Sequence, residues 1–209
     1  MILIAAIGAG YWFYTSLDQA AQRAIEHDGS DAVGTEVRVS RVSISAADGT
    51  GFVSGLSVAN PAGSRSPAAI VADMIKITVE LDTLQRDAVV IRTLAVVSPR
   101  ISYELGDKGS NLAALLENIQ RQVGKPGRKV IVDRLMVRDA RLSYASPNDA
   151  NATATVALPD IRLSSVGREA GGFTPAQLAR SITEALIYHA RRAVPPAAHS
   201  APPAGPQSK

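Results

Sequence analysis

The chain has 209 residues, 46% hydrophobic, 4% aromatic and 20% charged, with a formal net charge of +3 and no cysteine. This length suits one domain with its own core, and the missing cysteine excludes disulfides, thiol catalysis, Cys-type zinc sites and an acylated lipoprotein cysteine. Arg180, Arg191, Arg192 and Lys209 against Glu184 account for the whole net charge, so the rest of the chain balances. A nucleic-acid binder carries a basic face with stacking aromatics in its folded part; composition shows neither, and no nucleic-acid partner is expected.

The first element is the uncharged run ILIAAIGAGYWFYTSL, residues 2–17. As helix it spans about 24 Å, short of a hydrocarbon core of about 30 Å, and DQAAQRAIEH continues it. Tyr11, Trp12 and Tyr14 suit a membrane interface. No basic residue precedes the run and no clean A-x-A site follows it, which favours an uncleaved anchor over a cleaved signal peptide or a buried core helix. The reading is an anchor with its extension at 1–26, a linker at 27–35, a strand-rich domain at 36–194 and a disordered Pro/Ala-rich tail at 195–209.

Next, TEVRVSRVSISA and GFVSGLSVAN alternate as strands around Asp48-Gly49, a hairpin signal. Gly49, Gly51 and Gly55 are spaced like a loose phosphate loop, but Pro61 and the strand alternation leave no helix to open after them. NPAGSRSP, residues 60–67, is a loop. Ile75, Ile77, Val79 and Leu81 alternate with polar residues, and VVIRTLAV and RISYEL read as two more strands. Residues 110–123 are predicted helical, with Leu112, Leu115, Leu116, Ile119 and Val123 on one stripe before Gly124 and Pro126.

VVIRTLAVVSPRISYE (89–104) then lies over VIVDRLMVRDARLSYA (130–145) at an offset of 41, with six identities including Leu94/Leu135 and Tyr103/Tyr144. Both copies switch apolar parity before that leucine, which predicts a bulge at the same place in each. NATATVALPDIRLSS adds a strand bent at Pro159. FTPAQ is a helix start, with Thr174 as N-cap, Pro175 at N1 and Gln177 completing a capping box, for a helix over 174–194.

The order of an uncharged N-terminal run, GTEVRVSRVSIS, a glycine turn, GLSVANPAG and IKITVELDTLQRDAVVIRTLAVVSPRISYEL resembles the AsmA-like proteins of Gram-negative envelopes, the small single-domain members in particular. The resemblance covers roughly residues 1–145, with TPAQLARSITEAL matching loosely. It implies a single-pass anchor in the bacterial inner membrane, a periplasmic strand-rich body and, as in longer relatives, a curved sheet with an apolar groove for lipid. It carries over no catalytic residue.

The expected fold is α+β, mainly β: a transmembrane helix, then a twisted, mostly antiparallel groove-type sheet of about eight strands packed by two helices on its apolar face. The residues expected to line the groove are Ile75, Ile77, Val79, Ile91, Leu94, Val96, Ile101, Val132, Leu135 and Val137. Eight strands give a groove of about 38 Å, enough for an acyl chain. No metal, cofactor or catalytic centre is expected. His27, His189 and His199 are scattered, Asp28/Asp31 lie in the linker, Asn151-Ala152-Thr153 is a glycosylation sequon without use in a bacterial envelope, and no serine has a G-x-S-x-G setting. Two functions remain open: phospholipid binding in the groove, or an accessory scaffold for another envelope protein.

Overall fold

The computed structural model describes residues 2–106, 109–146 and 149–195, with side chains from Leu17 onward except those of 145–152. The element order is α1 (Ile2–Val33), β1 (Val37–Arg38), β2 (Arg41–Ser45), β3 (Thr50–Ala59), β4 (Ala68–Val79), a 3₁₀ turn (Leu81–Thr83), β5 (Ala88–Val97), β6 (Arg100–Tyr103), β7 (Leu105–Gly106), β8 (Gly109–Ser110), α2 (Asn111–Gln122), β9 (Lys129–Arg138), β10 (Arg141–Ser146), β11 (Asp149–Ala157), β12 (Ile161–Val166) and α3 (Pro175–Ala193). The architecture is α+β and mainly β: a ten-stranded sheet curled into a half barrel, with three helices.

The membrane-spanning anchor expected at the N-terminus is overturned: among the described residues no helix is long and apolar enough to cross a membrane. Glycines and Tyr11, Tyr14, Thr15 and Ser16 dilute the uncharged run, and from Asp18 onward the helix serves the sheet. α1 continues unbroken through the expected linker as far as Val33. Its residues 18, 22, 26 and 30 fall at i+4 spacing on one stripe and bond the nearest strands. The Asp18 carboxylate accepts from Ile44 N–H at 2.9 Å and the Glu26 carboxylate from Val39 N–H at 3.0 Å. Gln22 donates to the Val39 carbonyl at 2.9 Å, and the Ser30 hydroxyl accepts from Val37 N–H at 2.9 Å. The edge at β1 and β2 is thereby sealed. Beside this polar stripe Ala21 and Ile25 pack on Val39, Val42 and Val53. Whether Tyr11, Trp12 and Tyr14 meet an interface lies outside the described side chains, as does the tail from residue 196.

β2 and β3 form the hairpin at Asp48-Gly49. Gly49 has φ +69°, and a Cβ there would sit 2.4 Å from the Val79 carbonyl oxygen. β3 pairs along most of β4, whose other side is shared: Met74–Val79 pair with β5, Ile70 and Val71 with β6. The sheet forks there because β5 and β6 are two halves of one strand, bent at Ser98-Pro99. β9 and β10 bend likewise at Asp139-Ala140, and Ser98 and Asp139 have φ of 51° and 52°. Fifty-five, on β3, is another left-handed position, where Gly55 (φ +64°) passes so close to Ser40 that a Cβ would lie 2.3 Å from its Oγ. Together these corners crease the sheet into two wings and reset which residues face inward.

The repeat seen in the sequence is the pairing register. β5 runs parallel to β9 and β6 parallel to β10, placing Val89 beside Val130, Leu94 beside Leu135, Arg100 beside Arg141 and Tyr103 beside Tyr144. Parallel neighbours need a crossover, and α2 supplies it. The other pairings of this sheet are antiparallel, with β12 and β11 closing the far side along β9 and β10.

All three helices lie on the inner face. α2 starts at the Ser110 N-cap, whose hydroxyl accepts from Ala113 N–H, and buries Leu112, Leu115 and Ile119. α3 opens with the capping box of Thr174 and Gln177 and buries Leu186, Ile187 and Ala190. They meet Ile101, Tyr103, Val132, Leu135, Val137 and Leu142 in one core.

Candidate functional site

The three glycines spaced like a phosphate loop serve the sheet: Gly49 turns the hairpin and Gly55 sits at a left-handed position on β3. Gly51 pairs across to Ile44 and to Ile77 inside the sheet, and no helix follows. No phosphate site forms.

The groove candidates share the inner face, in three consecutive rows. Ile75, Val96 and Val137 stand side by side across β4, β5 and β9; Ile77, Leu94 and Leu135 form the next row; Val79, Ile91 and Val132 the third. Ile101 belongs to the other wing, opposite Ile70 and beside Leu142. The parity switch predicted between Ile91 and Leu94 is a register shift between β4 and β5, at Thr78/Val79.

Coverage then separates these ten. Val132 and Leu135 are 0% and 1% exposed, sealed under the helices as core. Ile77, Val79 and Ile91 are half-buried and lie off the cavity described next. Ile75, Leu94, Val96, Ile101 and Val137 line a cavity of about 230 Å³ between the sheet and the helices. Its remaining wall comes from Val33 of α1, Leu56 and Val58 of β3, Ile70 and Ala72 of β4, Pro99 at the corner, Leu115 of α2, and Ala179, Ile182, Thr183 and Leu186 of α3. The wall is almost wholly hydrocarbon, with Thr183 its polar side chain. Such a space excludes water, which needs polar partners, and takes an apolar group; an engineered dry cavity of about 150 Å³ holds benzene. Drug-sized ligands need about 300 Å³ or more, so this cavity suits a short hydrocarbon segment. The helix residues were absent from the sequence-level set because helical stripes and strand alternation do not say which stripe faces which row.

Polar chemistry is concentrated elsewhere, at the loop after β3. The Glu104 carboxylate accepts from Arg65 N–H at 2.6 Å and Ser66 N–H at 2.7 Å, and from the Ser102 hydroxyl at 3.2 Å. Asn111 donates to the Ser102 carbonyl and to the Asn60 side chain, each at 2.8 Å, and accepts from Glu104 N–H at 2.9 Å. Partial burial pushes the Glu104 carboxyl up, but bonds from Ser66, the Arg65 and Ser66 amides and Ser102 outweigh it and hold it below its ordinary value. Each of these groups is engaged in tethering residues 60–67, which is a structural task. His27 faces Asp31 at 3.8 Å on the exposed side of α1, and His189 lies edge-on to Tyr188 at 5.2 Å. Among the described residues no three His, Asp or Glu side chains group as metal ligands. Asn151 falls in β11 with its side chain outside those described, and His199 lies outside the described residues.

No family model, curated protein or solved structure matches this chain.

Proposed function

We propose that the protein is a non-catalytic binding module that takes an acyl chain segment of a lipid into the apolar cavity between its sheet and α3. The observation that carries this reading is the cavity itself: about 230 Å³, walled by aliphatic side chains from both wings and all three helices. Filling it with hydrocarbon gains roughly 25 cal/mol for each Å² removed from water. A second reading, an accessory scaffold without a ligand, is favoured by the full closure of Val132 and Leu135 beneath the helices.

Native mass spectrometry of the purified full chain separates the two. The binding reading expects lipid adducts on the wild type, lost in Ala179→Leu, which fills the cavity from α3, and retained in Glu117→Gln on the exposed side of α2. A wild type that carries no adduct after incubation with phospholipid refutes it in favour of the scaffold. Leu135→Asp is unsuited to this purpose, because a charge at a 1% exposed core position unfolds the protein.

A further inference from the structure

We propose that the outer face of the sheet, opposite the cavity, docks the protein onto an anionic lipid bilayer. The rows that bury valines and leucines inside turn a different set outward. One outer row runs Arg41, Ser54, Met74, Val97, Arg138 across β2, β3, β4, β5 and β9; the next runs Ser43, Phe52, Lys76, Ala95, Met136, Arg162 from β2 through β12. Arg134 stands two residues before Met136 on the same side, bonded to Thr93 at 3.5 Å, and Arg141 lies just past the corner beside Arg100.

The carboxylates of this face are mostly spoken for. Glu36, Asp73, Glu80, Asp133 and Asp160 pair with Arg38, Arg100, Arg92, Arg168 and Arg162. Arg41, Lys76, Arg134, Arg138 and Arg141 have no carboxylate partner among the described residues, and Asp139, at the corner between Arg138 and Arg141, is exposed. Between these cations sit Phe52, Met74 and Val97, 39%, 49% and 41% exposed, with Lys76 Nζ over the Phe52 ring at 5.8 Å. The helices carry both signs, with Arg23 beside Asp18, Glu26, Asp28 and Asp31 on α1, Arg121 beside Glu117 on α2, and Arg180, Arg191 and Arg192 beside Glu184 on α3, so the outer face is marked by the placing of its cations around exposed apolar side chains and not by net charge.

Unpaired cations in two dimensions with exposed apolar side chains among them fit a surface of anionic headgroups, where cations meet phosphates and the apolar tips enter the interface. Arg41 and Arg138 are four strand spacings apart, about 19 Å, and Arg134 and Arg138 about 13 Å along β9. This spread matches a sheet of charges better than one acidic peptide, which a groove or a sheet edge would take.

The test measures binding of the full chain to vesicles of phosphatidylcholine alone and of an equimolar phosphatidylcholine–phosphatidylglycerol mixture. Expected are preference for the anionic vesicles, weakening as salt rises, and about fivefold loss for each cation removed, so about a hundredfold for Lys76→Gln with Arg134→Gln and Arg138→Gln. A matched loss of charge on the other side, Arg121→Gln with Lys125→Gln and Arg191→Gln, leaves binding within twofold. Because the chain has no cysteine, a single Met74→Cys takes a polarity-sensitive label, which shifts to the blue on anionic vesicles while the same label at Glu117→Cys does not. Circular dichroism confirms folding; should the triple variant misfold, Lys76→Gln alone is read for its fivefold loss. Equal binding to neutral vesicles, an unaffected outer-face variant, equal responses at the two labels, or capture by polyglutamate without vesicle binding overturns the proposal.

Discussion

Ala179→Leu places a graded amount of hydrocarbon where the structure has space. Ala179 lies on α3 and lines the cavity of about 230 Å³. Leucine adds three carbons, worth about 2.4 kcal/mol at about 0.8 kcal/mol each. Ordering the longer side chain costs about 0.5–1 kcal/mol, so the net gain is about 1.5 kcal/mol. For a chain of this size that raises Tm by about 4 °C, read by calorimetry on protein stripped of lipid by organic extraction and refolding. Leu186→Ala is the mirror experiment: this residue is 4% exposed on the same wall, and its truncation costs about 3–5 kcal/mol while widening the cavity. A fall in Tm for Ala179→Leu means that the added carbons clash with occupied volume, which refutes the cavity and with it the binding reading.

Four other substitutions probe what holds the frame. Thr83, 1% exposed, donates to the Glu80 carbonyl at 2.6 Å and accepts from Val90 N–H at 2.9 Å, so Thr83→Val costs about 1–3 kcal/mol in urea unfolding; Thr83→Ser costing more than Val contradicts this. Glu104→Gln destabilises at neutral pH. Because the folded carboxyl titrates below its ordinary value, the wild type's advantage is present above about pH 4 and fades as pH falls through the folded value, and a gap in Tm that widens as pH is lowered from about 7 to about 3 rejects the tether. Ser98→Gly relieves a left-handed corner (φ 51°) and stabilises by about 0.5–1 kcal/mol in the same assay, whereas a loss means the Ser98 side chain does more than turn the strand. Glu26→Ala orphans the Val39 amide and costs about 1–3 kcal/mol, with faster amide exchange at Val39 than at Val53; unchanged exchange means α1 does not seal this edge.

Local chemistry was legible without the fold. The capping box at Thr174 and Gln177, the hairpin at Asp48-Gly49 and the alternation of Ile75, Ile77 and Val79 each depend on neighbours a few residues apart, and a linear reading reaches that far. The offset of 41 between the two strand copies also sat in the sequence, and it turned out to be the register of parallel pairing, which stacks like side chains beside like. Tertiary structure alone decided what α1 is for. An uncharged run scores as an anchor by composition, while Asp18, Gln22, Glu26 and Ser30 are unremarkable polar residues until the edge of β1 and β2 lies beside them. It alone separated Leu135, sealed as core, from Leu94, on the cavity wall, although both face inward at one level of the sheet. The outer face follows the same physics: a net balance is a sum over the chain, but a local field depends on which side of the sheet each residue faces, and register shifts such as that at Thr78/Val79 reset that parity.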